Sequence, residues 1–131
     1  MALEITITSF SYKLSGIPKD KSGNGGGFVF DCRFIENPGR RDEFKQYNGK
    51  DEPVIKFLES QSSMNDFLEN VFKIVDASIE IYLRREFTDL MISFGCTGGQ
   101  HRSVYAAEKM KEHIEQKYSN VITDIRHVEL E

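Results

Sequence analysis

Apolar and polar residues alternate from the start of the chain. Leu3, Ile5 and Ile7 are separated by Glu4, Thr6 and Thr8, the period of a strand with one buried face. The alternation predicts a first strand there, with Ser9 to Lys13 as its polar, aromatic-containing end. Residues 15–27 break the pattern with Gly16, Pro18, Gly23, Asn24 and the triplet Gly25-Gly26-Gly27, and read as a flexible loop. These glycines lack the strand-then-helix setting of a dinucleotide fingerprint. Phe28-Val29-Phe30-Asp31-Cys32-Arg33-Phe34 is rich in β-prone residues and predicts a second strand, ended by Asn37-Pro38-Gly39. Asp51-Glu52-Pro53 signals a helix start, followed by Val54, Phe57 and Leu58 at helical spacing. From Ser63 to about Arg85 a longer helical period runs through Phe67, Leu68, Val71, Phe72, Ile74, Val75, Ile79 and Leu83. Asn65 and Asp66 stand at its candidate N-cap. A stripe of this kind is core rather than a cofactor surface.

Leu90-Met91-Ile92-Ser93-Phe94 is nearly unbroken in its apolarity, as expected of a strand covered on both faces. It leads into Gly95-Cys96-Thr97-Gly98-Gly99-Gln100-His101-Arg102-Ser103 and then a helical pattern. That pattern places Val104, Ala107, Met110 and Ile114 inside, and Glu108, Lys111, Glu112 and Glu115 outside. His113 falls on the polar side and reads as surface. Val121 to Val128 alternates and closes as a strand. With no internal repeat and no composition break, residues 1–131 read as a single α/β domain. The expected architecture is a mixed sheet of four or slightly more strands with flanking helices and a strand–glycine loop–helix junction.

The 131 residues suit one compact domain, and the 39% apolar and 29% charged content supports a buried core under a wet surface. Seventeen basic against 21 acidic side chains give a net charge of −4, which argues against a surface built to grip nucleic-acid backbones. No apolar run reaches the roughly 18–20 residues of a membrane span, and no signal-peptide pattern opens the chain. With only two well-separated cysteines, a cytoplasmic, reduced chain is the expectation. Cys32 and Cys96 are too isolated to define a disulfide framework or a zinc site. No His, Cys and acid cluster has metal-ligand spacing, so neither metal nor cofactor is expected.

The chemistry concentrates between Phe94 and Tyr105. Where a buried strand passes through glycines into a helix, free backbone N–H groups and the helix dipole suit an anion. Gly95, Gly98 and Gly99 allow close approach. Thr97 and Ser103 can supply hydroxyls, His101 a donor, and Arg102 a two-pronged fork for phosphate oxygens. Asp31 and Arg33, two apart on a strand, point to the same side, and Lys13 could add positive charge to the loop. Arg40-Arg41 reads as a solvated turn, and His127 is open between a structural and a ligand role.

The segment also fits C-x5-R-S, since five residues separate Cys96 from Arg102 and Ser103 follows. A thiolate at a helix N-terminus can attack phosphorus while the arginine clamps its oxygens. Asp31 or Asp124 would then have to act as general acid. Against this, a cysteine ending a buried strand is often just a small packed residue.

The run Gly95-Cys96-Thr97-Gly98-Gly99-Gln100-His101-Arg102-Ser103-Val104-Tyr105 closely resembles the signature of the C-terminal domain of the RapZ (YvcJ-like) family. Phe30 to Phe34 with Asn37-Pro38 is similar to its second block. Asn48-Gly49-Lys50-Asp51-Glu52-Pro53-Val54 is similar to its third, and Ser9-Phe10 with Lys13, Gly16 and Pro18 to its first. The terminal Arg126-His127 also fits, so the resemblance runs from about residue 9 to 128. It implies a sensor and adapter role. Full-length members join a P-loop nucleotide-binding domain to this one. In enterobacterial members this domain binds glucosamine-6-phosphate and small regulatory RNAs and helps present RNA to an endoribonuclease. By the resemblance, the ligand contacts are Thr97, Gly98, Gly99, His101 and Arg102 with Asp31 and Arg33, to which the loop's own chemistry adds Lys13, Cys96, Gln100 and Ser103 as candidates. Asp31 would face the sugar or its amine. A protein partner and self-association are implied as well.

The departures narrow this. The chain has no G-x-x-x-x-G-K-[ST] motif, so ATP or GTP hydrolysis is not expected, and the reading is of the domain standing alone. Gly39-Arg40-Arg41 follows Asn37-Pro38 where members often carry an aromatic or histidine. Ser11 replaces a usual glycine, and the glycine-rich insert at 22–27 is unusual. The chain ends Val128-Glu129-Leu130-Glu131 rather than in a basic tail, which disfavours RNA binding.

Overall fold

The computed structural model describes residues 2–131. Four strands, β1 (Leu3–Ser11), β2 (Phe28–Asp31), β3 (Asp89–Cys96) and β4 (Val121–His127), form one sheet in the order β2-β3-β1-β4. Every pairing is parallel. The expected α/β class and strand count are observed, but the sheet is parallel throughout rather than mixed. The reason lies in the connections: β1 reaches β2 through residues 12–27, which carry the chain past β3 instead of turning back as a hairpin.

Three helices follow the apolar patterns: α1 (Glu52–Glu59), α2 (Ser62–Arg84) and α3 (Arg102–Lys117). The N-cap of α2 is Gln61, earlier than the expected Asn65 or Asp66. Asn65 instead donates its amide to Glu59 O at 3.0 Å, tying α2 back to the end of α1. Leu3, Ile5 and Ile7 of β1, Ile92 and Phe94 of β3, and Val75, Ile79, Met110 and Ile114 of the helices form the buried core. β3 is covered on both faces, as its unbroken apolarity predicts.

His113 is not an isolated surface residue. Its ring stacks on Phe72 with centroids 4.1 Å apart, and its Nε2 lies 2.9 Å from Asp76, which Lys117 also meets at 2.8 Å. This cluster joins α2 to α3. Partial burial works to raise the Asp76 carboxyl, but the hydrogen bonds from Lys117 and His113 outweigh it and hold it below its usual range.

The opposite side of the sheet is polar. Glu4, Thr6, Thr8, Asp124 and Arg126 floor a cavity of about 750 Å³ roofed by residues 15–22. At the carboxyl ends of the strands, β1 and β3 lie side by side with Ser11 paired to Cys96. From there β1 leads one way to β2 and β3 the other way to β4. A crevice at such a switch point is where open parallel sheets hold their ligands.

Candidate functional site

The site is the turn from β3 into α3, set against the end of β1. Ser11 knits the two together. Its hydroxyl donates to Thr97 O and accepts the amides of Lys13 and Leu14 at 3.1 and 3.0 Å, while Tyr12 N donates to Cys96 O at 3.0 Å. Gly99 adopts a φ of +68°, and any side chain there would strike Glu129 and the Ser11 backbone. Only glycine fits that combination. Gly98 differs: it is exposed, and a Cβ on it would meet nothing within 4 Å. Gly98 therefore lies at the open surface of the turn.

The backbone of this turn is largely unspent. The Gly99 amide donates to Cys96 Sγ at 3.3 Å. Those of Thr97, Gly98, Gln100 and His101 donate to no group among the described residues. They precede the free N–H groups of the first turn of α3, where partial positive charge collects.

The side chains of the second half of the turn face into the protein. Gln100 Nε2 donates to Lys45 O at 2.9 Å and Tyr47 O at 2.7 Å. His101 Nε2 lies 3.0 Å from Phe44 O. Arg102 Nη1 donates to Arg33 O and Ile35 O, both at 2.9 Å. These contacts hold segment 33–47 against the turn. Gly49 packs against the turn as well: its amide donates to Gln100 O at 2.9 Å, and a side chain at 49 would collide with the backbone of His101 and Tyr105.

Arg102 is buried, and no Asp or Glu among the described residues lies within ion-pair distance of it. Its Nε is also buried without any acceptor. Two main-chain carbonyls and the through-space field of Asp31 meet part of its charge, and the Nε–H is the donor left over.

Asp31 ends β2 and Arg33 lies just past it, rather than two along one strand as expected, because the strand is shorter than the predicted 28–34. They are exposed and bind each other by two contacts of 2.9 Å. Arg33 also stacks on the Tyr12 ring, 3.8 Å from its centroid. The hydrogen bond from Arg33 holds the Asp31 carboxyl below its usual range. Lys13 is exposed.

Cys96 is buried, its sulfur 3.1 Å from Ser103 Oγ. Cys32 extends the register in which Asp31 pairs Gly95, with its amide on Gly95 O at 2.8 Å, so the two free cysteines are neighbours. Burial pushes the Cys32 thiol well above its ordinary range. Asp124, the other candidate acid, lies level with Thr6 in the cavity on the far face, whereas Cys96 lies level with Ser11. The strand order thus keeps Asp124 away from the thiol.

On the β4 side, His127 bridges Ser9 Oγ and Glu108 Oε2 at 2.6 Å each, which makes it a structural residue. Beyond it, in the short turn Val128–Leu130, Glu129 Oε2 accepts the Ser11 amide at 3.1 Å. The sequence gives no cue to Glu129. Only the pairing of Ser9 with His127 brings the residues after β4 level with the end of β1.

A parallel α/β sheet with a glycine-bearing strand-to-helix turn at its switch point is an architecture that suits small-ligand binding. Comparison with known proteins makes this specific: the family model described as RapZ C-terminal domain matches residues 3–131, and the chain belongs to that family. Curated relatives called nucleotide-binding protein include one from Glaesserella parasuis, 38% identical over 98% of this chain and 42% of its own length. Others come from Hahella chejuensis, 36% identical over 98% and 42%, and Clostridium beijerinckii, 39% identical over 96% and 41%. The chain thus spans about two fifths of the length of these relatives. No helix among the described residues is long and apolar enough to cross a membrane.

Proposed function

We propose that the domain senses a phosphorylated small molecule, an amino-sugar phosphate such as glucosamine-6-phosphate, held without a covalent step in the turn from Cys96 to Ser103. The observation that carries this is the buried Arg102 guanidinium, which among the described residues has no acid within ion-pair distance and no acceptor for its Nε, beside four amides that donate to no described group. A phosphate dianion supplies the missing negative charge and accepts several donors at once. Phosphate enters over Gly98, and the rest of the ligand lies between the Asp31–Arg33 pair and Glu129. The relatives' printed name fits a phosphate-bearing ligand in the same sense. Calorimetry with glucosamine-6-phosphate, inorganic phosphate and glucosamine tests the reading. The sugar phosphate binds most tightly, phosphate binds weakly and glucosamine does not bind. Heat from glucosamine alone, or none from any of the three, contradicts it.

A second reading has a specific observation in its favour: Cys96 Sγ meets Ser103 Oγ and the Gly99 amide, the donors that would stabilise a thiolate nucleophile in the C-x5-R-S spacing. It lacks a placed general acid. Asp31 is held ionised by Arg33, and Asp124 is on the other face. Release of phosphate from an aryl phosphate by the wild type, abolished in Cys96→Ser, would establish it. Unchanged sugar-phosphate binding in Cys96→Ser with no turnover in either protein supports the sensor.

A further inference from the structure

Two carboxylates flank the turn, and they are in opposite electrostatic states. Asp31 on the β2 side is neutralised by the two-contact pair with Arg33 and also accepts the Arg33 amide at 2.8 Å. Glu129 on the β4 side has no Lys, Arg or His within ion-pair distance among the described residues. Its Oε2 accepts the Ser11 amide, and its Oε1 accepts no hydrogen bond from the described residues. Its stem packs where any side chain at position 99 would have to go, so the carboxylate sits against the turn itself.

That position is enforced from both ends of the segment. His127 is clamped between Ser9 and Glu108 at 2.6 Å each. Arg126 grips Glu131 through contacts of 2.7 and 2.8 Å. A lone carboxylate fixed beside an anion site repels a plain phosphate ester. It attracts a ligand whose phosphate is accompanied, a short arm away, by a protonated amine.

From this we infer that Glu129, rather than Asp31, is the residue that reads a cationic group on the ligand and makes the turn selective for phosphorylated amines over their neutral counterparts. The inference rests on the phosphate-binding reading of the turn and adds to it the source of specificity. A hydrogen bond to a charged group is worth about tenfold to a hundredfold in affinity, which sets the expected size of the preference.

The test is calorimetry with glucosamine-6-phosphate and glucose-6-phosphate on wild type, Glu129→Gln, Glu129→Asp and Asp31→Asn. Glutamine keeps an acceptor for the Ser11 amide and removes only the charge, and a thermal melt verifies that each variant is folded. Expected is a wild-type preference of about tenfold or more for the amine, retained in direction by Glu129→Asp. Glu129→Gln brings the two affinities to near equality by weakening the amine and tightening the neutral ester. Equal wild-type affinities, a preference surviving Glu129→Gln, or one abolished only by Asp31→Asn overturns the inference while leaving the phosphate site standing. Failure of the wild type to bind either ester overturns both.

Discussion

The two halves of the turn between β3 and α3 carry similar chemistry in the sequence and do different work in the structure. Gln100, His101 and Arg102 direct their side chains to main-chain carbonyls of residues 33–47, and Gly99 is locked by its positive φ and by Glu129. The side chains of this half are architecture, apart from the Arg102 Nε–H, which has no acceptor among the described residues. Thr97 and Gly98 lie at the open surface of the turn, where a Cβ at 98 meets nothing. The lesson is that the donors most visible in a motif can be committed to shaping a site, while the main chain between them is left for the ligand.

The comparison breaks most readily at Arg102. Its replacement by alanine strands the carbonyls of Arg33 and Ile35 and leaves a hole, so a loss of about 3–5 kcal/mol is expected in denaturant unfolding. A small loss would mean that the guanidinium does not hold segment 33–47 in place. Gly99→Ala should cost about 2–4 kcal/mol, from the left-handed backbone and the collision with the end of β1, measured the same way. Gly98→Val is the opposite case. It should change stability by less than about 0.5 kcal/mol, as at other exposed sites, yet abolish the calorimetric response to sugar phosphate by covering the turn. A Gly98→Val protein that unfolds early, or binds normally, erases the distinction between the halves.

The α2–α3 cluster serves as a remote control. Asp76→Asn weakens the ties to His113 and Lys117 and should cost about 1 kcal/mol without altering ligand affinity. The Asp76 carboxyl is depressed in the fold, so its contribution is complete above the ordinary carboxylate range near pH 4. It disappears as pH falls through the lower folded value. The difference between wild type and Asp76→Asn should therefore shrink in acid unfolding experiments. A difference that grows with acidity would reverse the assignment.

Much of this arrangement is legible along the chain. The alternation at Leu3–Thr8, the helical period from Phe67 to Leu83 and the apolar run Leu90–Phe94 correspond to observed elements because each reports its own local burial. The parallel order was not legible, since it depends on residues 12–27 passing β3, and glycine-rich composition does not encode a direction. The passage from strand to helix across Cys96–Ser103 is legible from its glycines. The destinations of Gln100, His101 and Arg102 are not, because their acceptors lie 53 to 69 residues away. His113 was misread as surface for the same reason: Asp76 and Phe72 belong to another helix. Glu129 was invisible until β4 paired with β1.

The central claim concerns main-chain amides, and amide resonances report on them directly. In a nitrogen–proton correlation spectrum titrated with glucosamine-6-phosphate, Thr97, Gly98, Gln100 and His101 should show the largest saturable shifts, together with the Arg102 Nε–H. Shifts confined to other parts of the molecule, with these five signals unmoved at saturation, would contradict the account.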